Sequence, residues 1–433
     1  MNALLAIKKL LDDTIQQIDI NKQDYVKDPA RDFVRNRKLS FSDTLRLIIS
    51  MESHTIRSEL LDFFSFTDKT LTTSAFIQQR DKLKPGLFRS LFHLFSSKLV
   101  PDKELMYHSF AVDGSVVWIP LSGKNDKYRY FSRENQGDYH QLHVSAVYDL
   151  DNELYTSAYI EPRKGHDERA AFHSILDEHV FPTNSIFIFD RGYESYHLIA
   201  HIQKKNQYYI IRAKDFSVGG ILYGLGIPRQ KEFDILYSKT FVSRDSKKYK
   251  YDADRYHRVH YTESPYFLNK SVQEYPLVFR VVRFPLGNDS YECLITNLPQ
   301  SEFGLERLKQ LYGMRWGIET SFRQLKYSVG LLDFHSKKIE SIEQEIWARL
   351  ILYNFSMAAG KRIEKRKTKS QYPCKLNVKN LIQICRRFLK IPVDEPPPNM
   401  DSLISRELIP VRAGRQAPRK EKHKRPSEFC YRK

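Results

Sequence analysis

Apolar residues recur at three-to-four spacing along the first part of the chain, at Leu45, Ile48 and Ile49, at Leu60, Leu61 and Phe64, and at Leu87, Leu91 and Leu94. Breaks fall near Asp43, Asp68 and Pro85. This period predicts a small all-helical domain over residues 1–104. The segment Thr72–Arg80 starts with hydroxyl residues suited to helix capping and then presents Gln78, Gln79, Arg80 and Lys82. Such side chains suit either a recognition helix that reaches DNA, with Arg80 as a DNA contact, or an exposed polar face.

From about residue 107 the period changes to two. HSFAVDGSVVWIP, QLHVSAVYDL and ELYTSAYIEP read as three strands, the last two joined through Asp149-Leu150-Asp151-Asn152 as a hairpin. A helix from about Asp167 to Glu178 follows, then the apolar strand Ser185–Asp190, a helix through about Lys205, and the strand Tyr208–Arg212. Three strands, helix, strand, helix, strand is a ribonuclease-H-like order, which predicts an α/β catalytic core beginning at 105–216. Short strands rich in Tyr, Ser and charge suggest a β-rich insertion over 217–298. Helices from about Leu305 to Leu325 and from Ile342 to Ala359 return the chain to the core over 299–360. Residues 361–433 form a helical, basic C-terminal region: KRIEKRKTK, a helix near Val378 to Leu389, and a Pro-rich linker from Asp394 to Asn399.

Length and charge narrow the partners. The 433 residues exceed one compact domain, so two or three domains are expected. Lys and Arg number 70 against 52 Asp and Glu, a formal net charge of +18, which makes nucleic acid the first candidate partner. The last 23 residues carry nine Lys/Arg and two Asp/Glu and read as a disordered tail that grips phosphates without reading sequence. The four cysteines, Cys293, Cys374, Cys385 and Cys430, are too scattered for a zinc site or a disulfide framework. The N-terminal apolar stretch is broken by Lys8, Lys9, Asp12 and Asp13, so it reads as a soluble helix. No apolar run approaches the roughly eighteen residues of a membrane span. A cytoplasmic protein that meets DNA there is expected.

Cutting and joining DNA requires carboxylates that converge on two divalent cations about 4 Å apart. Asp113 sits inside FAVDGS, where Gly114 permits close approach, and Asp190 ends FIFDRGY. Singly, an Asp before a glycine is most often a turn former. As a pair in this element order one stands inside the first strand and the other at the end of the fourth strand beside it, and such crowded carboxylates call for a cation. Glu168, in HDERAAF, is read instead as a helix-start acid stabilised by the helix dipole.

The most specific segment is Tyr312–Lys326. Tyr312, Arg315, Glu319 and Lys326 form a Tyr-x2-Arg-x3-Glu-x6-Lys pattern whose spacing puts all four on one helix face. With Asp113 and Asp190 upstream, the chain resembles the DDE transposases of the insertion-sequence-4 type. The resemblance runs from about residue 40 to 430, with the first segments and the basic tail near Arg412 matching more loosely. It implies a cut-and-paste DNA transposase in which Asp113, Asp190 and Glu319 hold two Mg²⁺ ions, with Mn²⁺ able to substitute. It further implies that Tyr312, Arg315 and Lys326 contact terminal phosphates of the transposon end, that terminal inverted repeats and target DNA are the partners, and that a homodimer forms the synaptic complex. Arg191 and Lys214 are weaker phosphate candidates. Trp316 suits either stacking on a displaced base or core packing. A nuclease that only hydrolyses, and a non-enzymatic DNA-binding derivative, are the competing readings.

Overall fold

The computed structural model describes residues 2–411 and 430–431, apart from 36, 101–104, 121–125, 133–136, 217–218, 229, 244–245, 248–251, 253, 260–264, 288–289, 367–369 and 392–397. The expectation of a disordered basic tail therefore lies almost wholly outside the described residues.

The first helices are α1 (Ala3–Ile20), α2 (Phe41–Ser50), α3 (Ile56–Phe63), α4 (Thr73–Arg80) and α5 (Leu87–Leu99). Their starts follow local chemistry: Ser40, Thr55 and Thr72 each accept a backbone N–H of the following turn through the side-chain hydroxyl, satisfying a donor that the helix cannot. The apolar stripes of α1, α2 and α5 are buried in one continuous core with the long helix α10 (Ile339–Arg362) and with one face of the central sheet.

That sheet begins with β1 (His108–Trp118), β2 (Arg129–Ser132), β3 (Gly137–Asp149) and β4 (Leu154–Pro162), continues after α6 (Glu168–Glu178) with β5 (Ser185–Phe189), and after α7 (Tyr196–Lys204) with β6 (Tyr208–Ala213). Its spatial order is β4-β3-β1-β5-β6, with β1 antiparallel to β3 and parallel to β5, and β5 parallel to β6. The β3–β4 turn is closed by Asp149, whose Oδ1 accepts the backbone N–H groups of Asp151 and Asn152 at 2.9 and 2.8 Å. Four further strands, β7 (Phe233–Ser243), β8 (Tyr256–Val259), β9 (Glu274–Gly287) and β10 (Ser290–Thr296), extend this same sheet, because β10 pairs antiparallel with β6. Ten strands among the described residues thus form one surface.

Alternation along the strands decides which side chains meet which layer. Phe110 and Val112 of β1 pack with Phe187 and Phe189 of β5 and with Phe172 and Leu198 of α6 and α7. Ala111 joins the opposite core with α10, and Ile186 and Ile188 pack with Leu308 and Tyr312.

The helix expected to run from Leu305 to Leu325 is not continuous. It divides into α8 (Leu305–Met314) and α9 (Trp316–Gln324), and a wider π turn follows at Leu325–Val329. At the junction the N–H of Arg315 donates to Tyr312 O at 3.1 Å and that of Ile318 to Arg315 O at 3.2 Å, so the backbone tightens to three-residue bonds there. Gly313 and Gly317 flank the junction, and glycine weakens a helix interior. Gly317 has a packing role as well: a β-carbon there would lie 2.9 Å from Leu150 Cδ2, so its absence lets α9 approach the β3–β4 turn. The helix predicted near Val378–Leu389 is α11 with those bounds. No helix among the described residues is long and apolar enough to cross a membrane.

Candidate active site

Two parallel strands place the aspartates side by side. In the β1–β5 register Val112 is the partner of Phe189, so Asp113 and Asp190 are the next residues on neighbouring strands. Parallel strands lie about 4.8 Å apart, a separation at which two carboxylates feel each other strongly. Each accepts a backbone N–H from just along the chain: Gly114 N donates to Asp113 Oδ1 and Gly192 N to Asp190 Oδ1, both at 2.8 Å. Burial, with the nearby Asp190 and Glu168 carboxylates adding to it, pushes the Asp113 carboxyl up to about 7, against a lowering by the Gly114 N–H and the Arg315 guanidinium.

Glu319, the third candidate acid, comes from the helical layer. α9 packs against β1, and Tyr155 on β4 ties it down, its hydroxyl 2.7 Å from Ser321 Oγ. Arg315 is 5% exposed and donates from Nη2 to Glu319 Oε1 at 2.8 Å. Its guanidinium also stands 5.8 Å from the Tyr312 ring centre and 5.3 Å from that of Trp316. Tyr312, Arg315 and Glu319 are therefore one cluster. Lys326 lies beyond it, half-buried on the π turn. The tightened turn at Arg315 and the widened one at Lys326 replace the uniform helical face expected from spacing.

Trp316 is 53% exposed, so the core-packing alternative for this indole does not hold. Arg191 is exposed on the turn after β5. Lys214 is tied to Glu194, with Nζ 3.3 Å from Oε1.

Arg80 corrects an expectation. It is 4% exposed, with Nη1 2.8 Å from Glu345 Oε1, Nε 3.0 Å from Gln344 Oε1 and Nη2 bonded to the Ser341 carbonyl. A DNA contact through this side chain is excluded in this arrangement, because its donors are spent joining α4 to α10. The polar run Gln78–Arg80 hid the change of face: Gln79 is buried as well, leaving Gln78 exposed.

Sequence reasoning also set Glu168 aside. It does stand in the first turn of α6, as a helix-start acid should. It also reaches the site from the face of the sheet opposite α9: a β-carbon on Gly114 would lie 2.6 Å from Glu168 Oε1, and one on Gly192 3.8 Å from Glu168 Oε2. Its Oε1 is 3.0 Å from His143 Nε2, and that contact holds its carboxyl below the usual range. The signal was the pairing of Gly114 with a carboxylate on the helix after the third core strand; no local pattern announces it.

Comparison with known proteins bears on this geometry. Residues 106–355 match the family model described as the transposase DDE domain. The chain belongs to the DDE transposase family. The matched span of this transposase begins just before β1 and ends inside α10, so it contains Asp113, Asp190 and Glu319. A relative from Synechocystis sp., named as a transposase for insertion sequence element IS4SA, is 23% identical over 318 residues, which cover 71% of this transposase and 78% of that protein. A cryo-EM structure of the piggyBac transposase synaptic complex with hairpin DNA is similar at a TM-score of 0.49 and 9% identity, over 90% of this chain and 80% of that one.

Proposed function

We propose that this transposase cleaves DNA at transposon ends and joins the freed 3′ ends to a target, by cut-and-paste, with Asp113, Asp190 and Glu319 as the metal-binding triad. The observation that carries the reading is the register of β1 and β5, which sets Asp113 beside Asp190 beneath the helix bearing Glu319. The strand order β4-β3-β1-β5-β6 supports a ribonuclease-H-like core, with 217–298 as an insertion that lengthens the sheet and 1–104 and 361–433 as flanking regions.

The residues present fit divalent cations. Carboxylate oxygens are hard donors suited to Mg²⁺, and a half-buried Asp113 with a carboxyl raised to about 7 marks negative charge that the protein alone leaves poorly compensated. When bound, two such ions activate an attacking oxygen and neutralise the leaving one. The protein's own part is positional. The Gly114 and Gly192 N–H groups fix one oxygen of each aspartate, leaving the others to turn into the site. Arg315 holds Glu319 on α9 until it turns toward the aspartates. Exposed Arg191 and Trp316, with Lys326 further along, supply phosphate and base contacts at the DNA end. Double-stranded DNA at terminal inverted repeats, a target duplex and a homodimer spanning two ends complete the assembly, within the bacterial cytoplasm.

The test uses purified full-length protein, Mg²⁺ and a plasmid carrying the element's ends. Excised element and joined products are expected. Asp113→Asn, Asp190→Asn and Glu319→Ala should each abolish both products while end-DNA binding persists. Cleavage without joining would replace the proposal with a hydrolytic nuclease.

A further inference from the structure

On the far side of Gly114 from the aspartate pair, β3 and the start of α6 bring together a second set of ligand-bearing groups. One ligand atom each from His143, His166 and Glu168 lies within 4.8 Å of the others. They line a recess of about 400 Å³ that is walled by Gly114 and Gly192. His143 is 2% exposed and His166 half-buried, and the ring centres are 4.3 Å apart.

Each imidazole is held by a hydrogen-bond partner at Nδ1, with Nε2 turned toward the recess. Ser145 Oγ is 3.3 Å from His143 Nδ1, and the Arg163 carbonyl oxygen is 3.0 Å from His166 Nδ1. The Arg163 carbonyl can only accept, so His166 Nδ1 donates and its Nε2 keeps a lone pair, the way a second partner orients a metal-binding histidine. His143 Nε2 faces Glu168 Oε1 at 3.0 Å, a contact that a cation bound between the two atoms can replace. At His166 the guanidinium of Arg163 lies against the ring. Glu161, the register partner of His143 across β3 and β4, adds a buried carboxylate oxygen with no hydrogen-bond partner.

We propose that His143, His166 and Glu168 bind a first-row transition-metal ion, at a site next to the Asp113–Asp190–Glu319 centre, across the Gly114 and Gly192 walls, with a different set of donors. Two imidazoles and one carboxylate are the donor set of many Zn²⁺ sites and disfavour Mg²⁺, which takes oxygen ligands. Binding displaces the Arg163 guanidinium from the His166 ring, and Arg163 turns out to solvent. The bound ion ties α6 to β3 and fixes the carboxylate that stands over Gly114 and Gly192, the two residues whose N–H groups hold the catalytic aspartates.

Equilibrium dialysis of the full-length protein against Co²⁺, with excess Mg²⁺ to fill the carboxylate centre, tests this through bound metal and its visible absorption. Wild type should bind one Mg²⁺-resistant equivalent. His143→Gln and His166→Gln should weaken it more than tenfold, Arg163→Ala should tighten it, and Asp190→Asn should retain it. Half-buried His166 and Arg163 serve as the test even where His143→Gln compromises folding. Co²⁺ binding that is unchanged in His166→Gln and Arg163→Ala, or that is lost in Asp190→Asn alone, overturns the proposal. Either result leaves the Mg²⁺-dependent plasmid reaction to be judged on its own.

Discussion

Arg315 donates to Glu319 across 2.8 Å, one helical turn along α9, and the arginine is buried while the acid is one-third exposed. Glu319 is thus oriented by a cation one turn before it, and the same cation lowers the proton affinity of Asp113. A buried guanidinium close to the Glu319 and Asp113 carboxylates holds together charges that would otherwise separate.

We predict that Arg315→Ala reduces strand cleavage on the order of 100-fold, the scale of losing one preorganised charged donor. Arg315→Lys should rescue little, since a point ammonium does not reproduce the planar fork. Single-turnover cleavage of a labelled end duplex measures both. Activity within threefold of wild type for the alanine variant would refute a role for the pair.

Asp113 predicts a pH dependence. Its carboxyl is raised from the ordinary 3.8 to about 7 by burial first, then by neighbouring carboxylates. A raised acid stabilises the fold fully below its unfolded value, and that contribution fades as pH rises through the folded value. Between about pH 4 and pH 7 this residue should make the metal-free protein progressively less stable, and Asp113→Asn should flatten the trend. Mg²⁺ should restore stability most near pH 7 and above, where the carboxylate is already ionised. Thermal unfolding with and without Mg²⁺ across that range checks the sign; the same slope in Asp113→Asn would sink the assignment.

Trp316 presents an exposed indole one residue from the arginine. A base stacked on an aromatic side chain gains about 1–3 kcal/mol, roughly 5- to 150-fold in affinity. Trp316→Ala should weaken binding to an end duplex with an unpaired base at the cleavage site by that factor, and leave binding to the fully paired duplex nearly unchanged. Equal losses on both substrates would make the indole a general DNA contact.

Arg80 separates structure from recognition. Removing one partner of a buried ion pair typically costs about 3–5 kcal/mol, so Arg80→Ala should lower the unfolding midpoint markedly. The salt dependence of end binding by the folded variant should match wild type, because no phosphate contact has been lost. A shallower salt dependence with unchanged stability would return Arg80 to the DNA interface.

Much of the central region was legible in the residues alone. Period-two alternation located β1, β3 and β4, the apolar run Ser185–Phe189 located β5, and α11 begins and ends where its apolar period does. The Tyr312–Lys326 spacing marked the segment that carries the third candidate acid, and the aspartates stood at positions that two-residue periodicity can place. These are local properties, set by backbone geometry within a few residues.

What depended on distant parts of the chain could be read only after folding. The chain alone pointed to most of the elements and to three candidate acids; tertiary structure decided the β1–β5 register, the burial of Arg80 against α10, the exposure of Trp316, and the approach of Glu168 and His143 to Gly114 from the far face of the sheet. The reason is physical: periodicity states which side of an element is apolar, but burial and charge balance belong to surfaces that come together from residues hundreds of positions apart.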